Sequence, residues 1–327
     1  MILKIYRGHD PGTIILIAVT GIMVWMKALV NPAGADMVFG DHPMPFYSYL
    51  LPLFQGHPLA GTIVSLGLVI LTAIYLVNFN TRIFFINERT FLPAALFIIL
   101  SGYFAPLQSF NPVLPSALLL MTAIDRIIGS YRKQGVAYNF FEASLLVSIA
   151  SLFYFNMIWF FLVVIAGIAL LRTISARELV LAITGLVAPY IILVSWYYLA
   201  GNDPAELGKT AMLNITGNPD KYSWSTLSIV ITIVNGLILA GTMFHLGTVY
   251  NTKKVRSRKT FSVLLWVLIV VVLLYLSVPR VSLEIYYLLL IPVSFILAHY
   301  MVFKRNKKMA NVVFAIIFVS VLLLQLF

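Results

Sequence analysis

Asp41 and His42 adjoin in a short polar stretch just after the first long apolar run, with Asp36 upstream and Tyr47 and His57 downstream. A carboxylate held at a membrane surface can act as a general base toward an acceptor hydroxyl, or hold a divalent cation beside a phosphate. The plainer reading is a turn, since Gly40 precedes Asp41 and Pro43 follows His42. Arg280 is the second residue of interest, set in Val278-Pro279-Arg280-Val281-Ser282-Leu283-Glu284 between two apolar runs. A guanidinium there can grip a phosphate with two parallel N–H bonds where head groups meet hydrocarbon. Its plain alternative is an ion pair with Glu284, four residues on if one helix carries both. Lys209 and Lys221 lie in a second polar stretch and are further candidates for phosphate contact. Glu142, near the start of a span, reads as an interfacial acid near Arg132 or Lys133 rather than an intramembrane functional one. Cysteine is absent, which excludes disulfides, thiolate metal sites and cysteine nucleophiles. The five histidines include no HExxH spacing, and no glycine loop suited to phosphates occurs.

The elements that must position these residues are apolar runs. A helix crosses a bilayer with about 20 apolar residues, or fewer where neighbours shelter it. That ruler predicts spans near 12–30, 58–78, 90–105, 112–128, 139–155, 157–171, 178–199, 225–249, 261–278, 284–303 and 310–326. The fold class expected is all-α, a polytopic transmembrane bundle of about eleven spans forming a single membrane domain over residues 1–327. The segments 90–105 and 112–128 are short, as are 139–155 and 157–171, so they should pack inside the bundle. Residues 31–57 and 200–224 form the two long outer loops. The piece from Phe46 to Phe54 is amphipathic and suited to lying along the membrane surface.

Charge sets the expected orientation. Six groups of cations, from Lys4 and Arg7 through Lys304–Lys308, hold eighteen of the 22 basic residues. The intervening hinges hold Lys27, Lys209, Lys221 and Arg280. Cationic loops stay cytoplasmic during insertion, so the N-terminus is expected inside and Arg280 outside. A composition 61% hydrophobic and 10% charged, with mean hydropathy +0.98, is far from the roughly 25% charged of a soluble domain. The net charge of +11 therefore reads as a topology signal and an attraction to anionic head groups, with no nucleic-acid partner expected.

This layout is similar to the polytopic glycosyltransferases of the C-type fold, which move sugars from polyprenyl-phosphate carriers on the outer face of a membrane. The shared features are a short basic N-terminus, one span, an acidic outer loop with a surface helix, short paired helices and a late arginine. The segment Arg280-Val-Ser-Leu-Glu-Ile-Tyr-Tyr-Leu-Leu-Leu-Ile-Pro292 resembles their arginine–tyrosine–proline stretch. Asn111-Pro112 through Asp125-Arg126 resembles their short fourth helix. The resemblance implies Asp41 as catalytic acid with Asp36 in reserve. It implies a substrate site made of Arg280, His42, Tyr47, Lys209 and Lys221, and a polyprenyl-phosphate carrier as lipid partner. Departures are the Asp-His pair where many members carry two acids, and the lack of a soluble domain or tryptophan-rich acceptor motif. The chain also looks like an uncharacterised family of bacterial inner-membrane proteins, which supplies no activity.

The leading expectation is thus a bacterial inner-membrane glycosyltransferase of open metal dependence, a divalent cation being one option. A non-catalytic subunit or scaffold of an envelope or secretion complex is the alternative. A lipid flippase or transporter stands third, since few acids fall at mid-membrane and no internal repeat is visible.

Overall fold

The structure, a computed structural model, describes residues 3, 6–8, 10–32, 42–83, 86, 90–132, 135–172, 175–218 and 224–326. Helix stands at each predicted apolar segment, and no strand occurs among the described residues. The chain opens with α1 (Pro11–Val24) and α2 (Met26–Val30), then α3 (Pro45–Leu50) and α4 (Pro52–Gln55). Prolines begin α1, α3 and α4, where a missing N–H costs nothing because the first turn has no partner for it. A long α5 (Pro58–Ile83) leads to α6 (Leu92–Ser101), α7 (Val113–Gly129) and α8 (Ala137–Ser151). Then come α9 (Phe161–Leu171), α10 (Ala176–Leu199), α11 (Ala205–Thr216), α12 (Thr226–Val249), α13 (Val255–Ser277), α14 (Tyr286–Phe303) and α15 (Lys307–Leu326). Ser175 and Ser225 cap α10 and α12, accepting from the N–H groups of Glu178 and Ser228.

Six of these helices, α5, α10 and α12 to α15, are long and apolar enough to cross a membrane. The segments around α1, α6 and α9 are apolar but shorter. At 1.5 Å per residue, the ten residues of α6 reach about 15 Å, half of a bilayer's hydrocarbon. Such a helix is stable only where protein covers its ends, and all ten residues of α6 are buried. The expectation of an internal position holds for α6. It holds less for α9, where Leu162 and Ile165 face outward.

The centre of the bundle is α14. Its sequence is apolar on every side, which suits a helix with neighbours all round, and 89% of its span window is buried. It packs against α6, α7, α12, α13 and α15. α8 and α10 form the closest helix pair, made possible by Gly185: a Cβ there would lie 2.4 Å from the Phe141 carbonyl oxygen. Ion pairs close the basic ends of the helices. Asp125 meets Arg82 and accepts from the Tyr75 hydroxyl at 2.8 Å, and Arg172 meets Glu178 at 2.7 Å. Glu142 pairs with Arg126 at 3.2 Å because α7 and α8 run side by side, while Lys133 lies outside the described residues.

Candidate functional site

The hinge between α13 and α14 separates two cavities of opposite character. One is a small polar pocket lined by His42, Tyr47, Tyr154, Asn214, Arg280 and Glu284. The other is an almost wholly apolar cleft of about 340 Å³ walled by α12, α13 and α14. Arg280 and Glu284 face the pocket, while Ser282 and Leu283 between them line the cleft.

The pocket is assembled from segments far apart in sequence. Tyr47 is anchored rather than floating: its hydroxyl donates to the Phe110 carbonyl at 2.9 Å and its ring stacks on Phe110. With Tyr47 only 1% exposed, the piece from Phe46 to Phe54 is not simply a surface helix; Tyr47 plugs into the bundle, and Tyr49 and Leu53 remain outside. The Phe46 N–H bonds the Leu152 carbonyl at 3.1 Å, tying α3 to the turn after α8. Asn214, on α11, joins the two long polar stretches of the chain. Its amide donates to the His42 carbonyl at 3.0 Å and to Thr210 at 2.9 Å. Its own carbonyl accepts from Asn156 at 3.2 Å. Asn214 is therefore a buried structural bridge.

Glu284 is 6% exposed, and a carboxylate so buried is stable only with donors around it. Its Oε1 accepts from the Tyr154 hydroxyl and the Ser282 N–H, each at 3.1 Å, and the Ser282 hydroxyl meets Oε2. Arg280 is half-buried; its Nη1 donates to the Asn218 carbonyl at 2.6 Å, and its stem runs beside Gly217. Arg280 and Glu284 do not share a helical face, because the chain stays in a turn until Leu283–Ile285 and α14 starts at Tyr286.

The predicted residues divide accordingly. His42, Tyr47 and Arg280 come together in one pocket. Lys209 is exposed on α11 and lines neither cavity. Asp36, Asp41 and Lys221 lie outside the described residues. Among the described residues no three histidine or acidic side chains gather as a metal cage. Glu284, Tyr154 and Asn214 are pocket residues that sequence reasoning did not single out for a site. The signal for Glu284 was available: it is the sole acid after Asp220.

The cleft has α14 as its back wall, from Tyr286 to Leu297, a depth of about 17 Å at the helical rise. Gly236 on α12 and Val271 on α13 contribute to its sides. Its mouth is aromatic, with Phe104 edge-on to Trp224 at 5.9 Å and to Tyr286 at 5.1 Å. Two of its tyrosine hydroxyls are occupied: Tyr103 bonds Thr232 at 3.0 Å, and Tyr286 bonds the Leu100 carbonyl at 3.1 Å. Val272, Tyr275 and Leu276 at the rim are exposed, so the cleft opens on the flank of the bundle.

Residues 49–327 match a family of unknown function (DUF6427), and the chain belongs to that family. No curated protein and no solved structure matches it.

Proposed function

We propose that this protein holds a polyprenyl-phosphate sugar with its tail in the flank-opening cleft and its phosphate at Arg280, and transfers the sugar to an acceptor on the extracytoplasmic face. One observation carries the reading: a tail-sized apolar cleft and a polar pocket meet at a single hinge, with the arginine on the polar side. An amphiphile with one charged head and one long tail fits such a junction better than a soluble metabolite does. All eleven apolar segments would then lie in a bacterial inner membrane, the short ones sheltered by long neighbours, with the N-terminus cytoplasmic.

In this reading Arg280 neutralises the departing phosphate, and its bond to Asn218 fixes the guanidinium before the ligand arrives. Glu284, bound by three donors, holds the hinge and is a positioning residue. Asp41, with Asp36 in reserve, orients or deprotonates the acceptor hydroxyl; its neighbour His42 lines the pocket. Phosphate leaves readily from an anomeric carbon, so the main contributions are placement and charge stabilisation.

The test is binding of polyprenyl phosphate to the detergent-purified chain. Micromolar binding is expected, lost in Arg280→Ala and kept in Asp41→Asn, while sugar transfer is lost in both. Absence of binding by the wild type would overturn the proposal in favour of a scaffold in an envelope complex. Transfer surviving in the Asp36→Asn/Asp41→Asn double variant would remove the catalytic assignment alone.

A further inference from the structure

Among the described residues, the carboxylates that form ion pairs do so with Arg82, Arg126 and Arg172, and not with the cations at the opposite end of α14. From residue 226 to the C-terminus the only acid is Glu284, at the far end of α14, about 29 Å from Phe303 at the helical rise. The turn between α12 and α13 and the start of α13 hold Lys253, Lys254, Arg256, Arg258 and Lys259, and α14 runs into Lys304 and Arg305. Carboxylates on the helices behind are engaged: Asp125, Glu142 and Glu178 pair with Arg82, Arg126 and Arg172.

Two of these cations differ from solvated surface lysines. The Lys253 ammonium sits 3.3 Å above the Phe303 ring, and the Lys304 ammonium 5.2 Å above the Tyr300 ring, so both lie over one turn of α14. Both are half-buried. Buried nitrogens on the same three helices have no hydrogen bond. His299, 1% exposed, has neither ring nitrogen bonded, and it lies 4.7 Å from the Phe303 ring. His245 meets Tyr300 edge-on at 5.2 Å with its Nδ1 buried and unbonded, and the Arg258 Nε is in the same condition. The turn is pinned by the Tyr250 hydroxyl, which contacts Ser262 at 2.8 Å and the Arg258 carbonyl at 3.2 Å. A fixed turn, two ammonium groups over rings and buried nitrogens left without hydrogen bonds exceed what a cationic loop needs to set topology.

We infer that Lys253 and Lys304 form a binding site for the phosphate of an anionic membrane phospholipid. The lipid source is favoured over a soluble anion because the cations cap long apolar helices whose flanks are exposed, as at Phe244 on α12 and Val255 on α13, with 76% and 41% exposure. Burial alone lowers the Lys253 ammonium's pKa, a cost that an adjacent phosphate removes. The inference rests on the bundle lying in a membrane and is independent of sugar transfer.

The test uses the full chain in neutral detergent, with bound lipid counted by native mass spectrometry after adding phosphatidylglycerol, phosphatidylcholine or inorganic phosphate. Wild type is expected to retain phosphatidylglycerol over phosphatidylcholine by about tenfold or more. K253A/K304A loses that preference, whereas R305A/K308A, with the same change in charge at exposed positions, keeps it. K253R/K304R restores it. Should K253A/K304A not elute as a single species, K253Q/K304Q repeats the test with side chains of similar length. Equal loss in K253A/K304A and R305A/K308A would reduce the site to diffuse attraction and overturn it. So would equal retention of the two lipids, or displacement of phosphatidylglycerol by millimolar inorganic phosphate, which would assign the site to a soluble anion.

Discussion

Filling the cleft from Gly236 tests the tail site without disturbing the fold. A Cβ at Gly236 meets nothing within 4 Å, and the residue lines the cleft, so leucine there grows into open space. The helix itself gains, because glycine inside a helix costs about 1 kcal/mol relative to a good helix former. Leucine would displace about four methylenes of a bound tail, each worth roughly 1 kcal/mol of gross contact. Surrounding lipid returns most of that, since tails are as apolar as leucine, leaving a net loss of about 1–2 kcal/mol. The expected result is about tenfold weaker binding of polyprenyl phosphate, beside an unchanged or higher melting temperature. Arg280→Ala removes a charge-assisted phosphate bond of about 1.5–3 kcal/mol and should cost about 10- to 100-fold. Competition between polyprenyl phosphate and bulk phospholipid in nanodiscs reads both. Wild-type affinity in Gly236→Leu, at raised stability, would refute the cleft as the tail site.

Three further outcomes follow from the packing. Glu284→Ala should destabilise by about 1–3 kcal/mol because the Tyr154 hydroxyl loses its acceptor, while Glu284→Gln stays near wild type; thermal unfolding in detergent separates them. Gly185→Ala should lower the melting temperature by an amount matching about 1–3 kcal/mol of overpacking, since the new Cβ meets the Phe141 backbone, whereas Gly236→Ala should not lower it. Tyr47→Phe should cost about 1 kcal/mol by leaving the Phe110 carbonyl unbonded, with faster proteolysis of the chain around residue 42 as the readout.

Helix positions were legible because apolar runs between charged turns leave little choice, as at 113–129 and 226–249. Arg280 was legible because an arginine in a hinge expected to face outward opposes the insertion bias. The bridge through Asn214 was not, since it depends on a contact with His42 across 172 positions. Nor was the cleft, because Gly236, Val271 and Leu289 read as ordinary lipid-facing or core residues until three helices are placed together. The chemistry of Asp41 rests on sequence alone, as that residue lies outside the described ones.

The exposed rim at Val272, Tyr275 and Leu276 has a kinetic consequence. In the proposed function a ligand entering there travels in the plane of the bilayer, so supply is two-dimensional. Occupancy would then follow the carrier's mole fraction among lipids rather than its concentration in the whole sample. Adding inert lipid at fixed carrier would slow loading, and adding buffer would not.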